Sequence, residues 1–239
     1  MKVFSFAQNW WQFLIFAIVC YFIGCFNFAL VISKTKKRDI TKIGSGNPGT
    51  MNMSREFGLK IGLLTFFCDA IKGGLPALVG FFIYKNYVFA GTLISVADFA
   101  KYFFGMFVVI GHIFPVTMRF KGGKGIASTL GMFWACLSCE HPWWILIAFG
   151  YLLFLVFFIF VTEWGSMGSL VGVSGFSIIQ MVLFFLRYGK YALNAYTVAI
   201  YCMLIVINLL TWIAHKENLA RLFAGEEHRT SIRKLAKKK

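Results

Sequence analysis

Apolar positions along this chain gather in long unbroken runs, with no alternation at the period of a half-buried strand. Residues 10–33 form an uncharged stretch of 24, about 36 Å long as a helix at 1.5 Å per residue. That is enough to cross a hydrocarbon core of about 30 Å and too long for the apolar part of a signal peptide. The basic Lys34-Thr35-Lys36-Lys37-Arg38 that follows marks a retained helix. Further runs cover 61–84, interrupted by Asp69 and Lys72, and 90–118, which holds Asp98 and Lys101. Residues 125–139 make a short run of 15, and 142–162, 165–186 and 192–214 complete the set. The pattern predicts an all-α, polytopic membrane protein with seven transmembrane helices, or six if the short run is re-entrant.

Basic residues set the orientation. With seven spans, one face carries residues 34–60, 119–124, 163–164 and 215–239, and these hold 18 Lys and Arg. The other face carries Lys2, Lys85, Arg187 and Lys190, only 4. This bias predicts an amino terminus outside and a carboxyl terminus in the cytoplasm. The chain reads as one membrane domain, 1–239, whose last part, 215–239, is a cytoplasmic tail. A short surface helix is expected from His215, with Lys234 to Lys239 as a solvated, lipid-facing charge run.

Composition sharpens the exclusion. Apolar types make up 59% of the 239 residues, charged types 14%, and mean hydropathy is +0.74. A soluble domain is about 25% charged, so a soluble enzyme and a disordered chain are both excluded. The net charge of +15 sits between apolar runs, which favours membrane orientation and anionic ligands over nucleic acid. Cys136 and Cys139 form a CxxC beside His141, but no second ligand pair follows at zinc spacing. Neither a metal nor a cofactor is implied.

The candidate chemistry lies in the loops of the basic face. The first loop runs from Gly44 through Ser45, Gly46, Asn47, Pro48 and Gly49 to Asn52 and Arg55. Its glycines permit backbone N–H groups to turn toward an anion, and Arg55 offers a planar fork for phosphate or carboxylate. The same residues also suit an ordinary turn. A second loop follows Gly111-His112 and contains Lys121, Gly122, Gly123, Lys124 and Gly125. It is not a Walker loop, because Gly125 stands where Ser or Thr is required. In a third segment His215, Asn218 and Arg221 recur every three residues on one helical face, with Gly225, Glu226 and Glu227 behind them. A fourth element, Ser166-Met167-Gly168-Ser169, opens the sixth run, where small residues also permit close helix packing. Together these residues fit a substrate with a phosphate head and a greasy tail.

The segments GSGNPGTMN…R, GHIFPV…FKGGKG and HKEN…R…GEE resemble the three signature motifs of the bacterial acyl-phosphate:glycerol-3-phosphate acyltransferases. They stand in the right order over about residues 44–227. The resemblance implies acyl transfer from acyl phosphate to the 1-hydroxyl of glycerol 3-phosphate in the bacterial cell membrane, giving lysophosphatidate and phosphate. It also implies seven helices, an amino terminus outside, an active site on the cytoplasmic face and no cofactor. Implied partners are acyl phosphate, glycerol 3-phosphate, the bilayer and the soluble enzyme that makes acyl phosphate; nucleic acid is not among them.

Carried over, the resemblance makes Ser45, Arg55, Lys124, His215 and Asn218 the catalytic candidates. Gly44, Gly46, Asn47, Gly49, Asn52, His112, Lys121, Gly122, Gly123, Gly125, Ser166 and Ser169 become candidates for binding substrate or phosphate. Asp69, Lys72 and Glu227 become structural candidates, with Asp69 and Lys72 spaced to pair across one helical turn. The chain departs from the family pattern at Thr50-Met51, and at Glu163-Trp164, where the family carries a basic residue and an aromatic. An acid at the mouth of an anion site is unfavourable, which puts the role of Ser166 in question.

Arg55 and Lys124 are expected to offset repulsion between two anionic substrates. His215 is the obvious general base, whereas the resemblance suggests that a phosphate oxygen of the donor takes the proton while His215 orients glycerol 3-phosphate. The competing function is a transporter or channel for an anionic phosphorylated metabolite, although no paired internal repeat is seen. The His-x4-Asp motif of soluble-fold acyltransferases is absent, since Thr117, Leu146, Ala220 and Arg233 stand five residues after the four histidines.

Overall fold

The computed structural model describes residues 1–191, 194–227 and 229–231. Lys234 to Lys239, expected as a solvated charge run, lie outside the described residues. The chain forms α1 (Phe6–Cys25), α2 (Phe28–Thr35), α3 (Thr50–Phe57), α4 (Leu59–Tyr84) and α5 (Val96–Ile113). It continues through α6 (Ile126–Glu140), α7 (Trp144–Thr162), α8 (Gly165–Tyr188), α9 (Ala195–Ala214) and α10 (Lys216–Phe223). Among the described residues, six helical segments are long and apolar enough to cross a membrane, counting 6–35 as one. The short run is the helix α6, and α10 is the expected helix after His215.

Two expectations are corrected. The run 10–33 is not one helix: it breaks at Phe26 and Asn27 between α1 and α2. Asn27 caps α2 by accepting the Leu30 N–H at 2.9 Å. The carbonyls of Gly24 and Phe26 at the break accept from the Lys72 ammonium at 3.3 and 2.7 Å. A cation from α4 thus replaces the N–H groups that a continuous helix would supply. The fold is also not purely helical. Strands β1 (Lys2–Phe4) and β2 (Tyr87–Phe89) form a parallel ribbon with Val3 opposite Val88. These short segments lie outside the apolar runs, and Phe4 ties them down by packing edge-on to Phe13, Tyr84 and Phe89.

Helix α6 lies inside the bundle, and α4 approaches it through glycines. A Cβ on Gly131 would stand 2.6 Å from Ala70 Cα, and one on Gly74 would stand 2.7 Å from the Gly131 carbonyl oxygen. Without lipid-driven attraction between helices, such close backbone packing is a main source of association. Ions fix the far end of α6. Lys101 lies 2.8 Å from Asp98 and also pairs with Glu140 at the end of α6. Arg187 from α8 pairs with the same two acids, at 3.1 Å from Asp98. Tyr188 donates to Asp98 at 2.8 Å. Two acids thus face two bases, so the end near the ribbon is electrically balanced. Helix α6 runs from there to the opposite end, where the loop motifs collect.

Candidate active site

The first loop is folded by one buried side chain. Asn52, 1% exposed, donates to the carbonyls of Ile43 (3.0 Å) and Ile40 (3.3 Å) and accepts the Ser45 N–H at 3.1 Å. Its amide is used within the loop, so Asn52 shapes it from below. Gly44 and Gly46 take φ of +59° and +69°, which only glycine adopts without strain. Asn27 donates to the Pro48 carbonyl at 3.2 Å and joins the loop to the α1–α2 break. Sequence reasoning missed this residue; an amide deep within an apolar run was the available signal. Ser45 stays exposed at the loop surface, and Asn47 and Gly49 lead into α3.

The second loop folds back on the end of α5. Gly122 N–H donates to Ile113 O at 3.0 Å, and Gly123 N–H to His112 O at 3.1 Å. These two amides cap α5, so the expected cradle of loop amides is not what Gly122 and Gly123 form. A Cβ at Gly122 would stand 2.5 Å from Pro115 Cδ, which explains the glycine. His112 is buried beneath the loop with Nδ1 2.9 Å from the Lys72 ammonium. Lys72 lies 3.0 Å from Asp69, as their spacing predicted. Asp69, Lys72 and His112 therefore form one buried polar group that supports the Gly123 turn. Lys121 is exposed.

The cluster at the start of α6 joins the remaining motifs. Lys124 donates to Asn218 Oδ1. The Asn218 amide donates to Glu227 Oε1 at 2.6 Å, and Arg221 Nε to Glu227 Oε2 at 3.0 Å. The Ser166 hydroxyl is buried without a hydrogen bond of normal geometry and faces Glu227. Burial alone would push the Glu227 carboxyl up, but hydrogen bonds from Asn218 and Arg221, with the Ser166 hydroxyl close by, outweigh it and hold it below its usual range. Arg55, partly buried, feels Glu227, Arg221 and Glu56. Ser169 Oγ donates to Gly165 O at 2.8 Å within its own helix.

Burial brings the Lys124 pKa down to about 8; Glu227 opposes the shift, while Arg221 and Arg55 add to it. His215 is 2% exposed, with Nδ1 2.7 Å from Thr211 O. That contact places its proton on Nδ1 and leaves Nε2 as an acceptor. Burial and the nearby Lys124 lower its pKa to about 4, so it is neutral near pH 7. Glu163 does not intrude on the site as an unopposed acid: its carboxylate lies 4.0 Å from Arg229.

Helices α3, α6, α8 and α10 all begin here without a side chain capping their first amides. Helix starts carry partial positive charge and free N–H groups, which suit an anion. These features define a helical membrane protein with a cluster of cationic side chains at one end of its bundle, chemistry that suits an anion.

Comparisons with known proteins resolve the class further. The profile of the family described as glycerol-3-phosphate acyltransferase matches residues 14–225. A glycerol-3-phosphate acyltransferase of Finegoldia magna is 38% identical over 221 residues, covering 92% of this chain and 97% of the relative. One of Aquifex aeolicus is 34% identical over 216 residues, covering 90% and 98%. Among solved structures, the crystal structure of PlsY (YgiH), an integral membrane glycerol 3-phosphate acyltransferase, in its glycerol 3-phosphate form has a TM-score of 0.70. It is 31% identical and covers 91% of this chain and 95% of its own. The lysophosphatidic acid form gives 0.68 with the same identity and coverage. The chain belongs to the glycerol-3-phosphate acyltransferase family and is an acyltransferase.

Proposed function

We propose that the protein transfers a fatty acyl group from acyl phosphate to the 1-hydroxyl of sn-glycerol 3-phosphate, releasing lysophosphatidate and phosphate. The observation that carries this reading is the Lys124–Asn218–Glu227–Arg221 cluster beside Arg55. It concentrates cations, an amide and uncapped helix starts at one end of an apolar bundle. A solved relative is described in a glycerol 3-phosphate form and in a lysophosphatidic acid form, which supports the same acceptor and product here.

Acyl phosphate is an activated mixed anhydride. The acceptor hydroxyl oxygen attacks the acyl carbon, a new ester C–O bond forms, and the bond to the phosphate oxygen breaks. The hydroxyl proton goes to an oxygen of the departing phosphate. Lys124, Arg55 and Arg221 reduce repulsion between the two anions and stabilise charge on the leaving group. His215, neutral and with Nε2 free to accept, orients the acceptor hydroxyl. Its pKa of about 4 makes it a weak base near neutrality, which favours the donor phosphate as proton acceptor. Ser45, Asn47 and the glycines 44, 46, 49 and 125 complete the substrate-facing loops, with Asn52, His112, Gly122 and Gly123 supporting them from within.

We further propose that α6 is the seventh crossing, since it joins the ionic end near Glu140 to the Lys124 end. The motif end then faces the cytoplasm, with residues 215–239 as the tail of a single domain, and the 18 to 4 distribution of basic residues supports this. Arg187, one of the outer four, is paired with Asp98 and Glu140, which strengthens the bias. The soluble enzyme that makes acyl phosphate is the proposed donor-supplying partner. The test is purified protein with palmitoyl phosphate and labelled glycerol 3-phosphate, reading out lysophosphatidate. Comparable turnover with acyl-CoA would reject the proposed donor.

A further inference from the structure

After α10 the chain reverses at Gly225, which takes φ of +75°, and Glu226 N–H returns to Arg221 O at 2.8 Å. The chain then crosses from α10 to the corner between α7 and α8. Thr230 is the far end of this crossing. It is 2% exposed, and its N–H donates to the Glu163 carbonyl at 2.6 Å. Glu163 takes φ of +57°, a conformation uncommon for a residue with a side chain. Beneath Thr230 lies Gly165. A Cβ added there would stand 3.0 Å from Thr230 Oγ1 and 3.2 Å from Met51 Cε. The tail, α3 and the start of α8 therefore meet at one packed point. The Arg229–Glu163 pair is exposed on the arginine side and adds little; the backbone bond and the buried Thr230 hold the segment.

We infer that Thr230 is a positioning residue: by pinning the tail to the α7–α8 corner it holds the Glu227 carboxylate against Asn218 and Arg221. This rests on the reading that the cluster binds the phosphate of glycerol 3-phosphate. Glu227 is the acceptor shared by Asn218 and Arg221, and Asn218 in turn orients Lys124. A carboxylate on a segment fastened only at α10 would sample other rotamers, and the amide and guanidinium would lose their common partner.

The test uses the full-length protein, glycerol 3-phosphate binding by calorimetry, and kcat/KM. Thr230→Pro removes the N–H, Thr230→Val keeps the N–H and the volume, and Gly165→Ala pushes against the segment without removing a polar group. Thr230→Pro and Gly165→Ala are expected to weaken binding by roughly 2- to 12-fold, the worth of one net hydrogen bond. Thr230→Val should bind within about twofold of the parent, well short of the loss of that bond. In a Glu227→Gln background, the same two changes should cost nothing further, because coupled residues are not additive. Gly165→Ala carries the cycle if Thr230→Pro does not fold. Penalties that multiply unchanged in the Glu227→Gln background would overturn the inference. So would parent-like binding by folded variants that merely melt earlier. Lys124→Ala separates the two claims. If it leaves binding unchanged, the phosphate sits elsewhere and both fall; if Lys124 is needed and the cycle still multiplies, the positioning role alone falls.

Discussion

Replacing Lys124 tests the site most directly. Its ammonium is largely buried, bonds to Asn218, and shares its surroundings with Arg55, Arg221 and Glu227. A charged hydrogen bond contributes about 1.5–3 kcal/mol, so Lys124→Ala should lower kcat/KM for glycerol 3-phosphate roughly 10- to 150-fold. Asn218 Oδ1 would also lose its donor, which pushes the loss toward the upper figure. The pKa of about 8 adds a second signature. A group with a depressed lysine pKa carries its cation below that pH and loses it as pH rises through it. About nine-tenths of the enzyme is charged at pH 7 and about one-tenth at pH 9, so kcat/KM should fall roughly tenfold between them. Below about pH 6 the substrate phosphate itself takes a proton, so an acid limb there belongs to the substrate. Lys124→Arg should move the basic limb out of range, since guanidinium stays charged. The assay is initial rate against pH for folded parent, Ala and Arg proteins. Near-normal kinetics in Lys124→Ala, or an unchanged basic limb in Lys124→Arg, would refute the phosphate-clamp assignment.

For His215→Ala, the expected result is a raised KM for glycerol 3-phosphate with no acid limb lost, because the parent histidine is neutral down to about pH 4; disappearance of a limb near neutrality would restore the general-base role. Single cysteines placed near Lys85 and Lys216 in a cysteine-free protein should differ in intact cells, with only the first reacting with an impermeant reagent. Labelling near Lys216 from outside would reverse the proposed topology. Gly131→Ala would put its Cβ 2.6 Å from Ala70 Cα, and overpacking of this kind costs about 1–3 kcal/mol. Its thermal unfolding midpoint in detergent should drop, and an unchanged midpoint would mean that α4 and α6 do not need this close approach.

The long apolar runs made most helices legible, because crossing a bilayer demands local satisfaction of every backbone group. Their ends shifted where a distant residue decides the matter. The break after α1 depends on Lys72, which reaches the Phe26 carbonyl from 46 positions away. Asp98 and Lys101 were visible as charges inside a run, yet their partners Glu140 and Arg187 come from other helices. Spacing did reveal Asp69 with Lys72, since i,i+3 neighbours on a helix meet without any knowledge of the fold. Composition identified the motifs but not the direction of their groups. Asn52 reads as a substrate amide, and its three hydrogen bonds lie inside its own loop. Gly122 and Gly123 read as a phosphate cradle, and their amides close the end of α5.

The two ends of the bundle solve the problem of buried charge differently, and this contrast locates the chemistry. Near the ribbon, Lys101 and Arg187 face Asp98 and Glu140, so each cation has acids in contact and no ligand is required. At the motif end, Lys124, Arg221 and Arg55 face Glu227; Glu217 and Glu56 add only weaker fields, and Glu56 is also paired with Arg38 at 3.5 Å. Positive charge is in excess there, and desolvation already lowers the lysine toward neutrality. A net positive field in a partly dry site is unfavourable. An incoming phosphate dianion would relieve that cost and restore the lysine charge as it binds. At the balanced end each cation is already paired with carboxylates, so the same anion would gain no such relief there. Under the proposed function, a substrate whose head is a phosphate and whose partner brings an acyl chain would therefore be directed to the end where α3, α6, α8 and α10 begin.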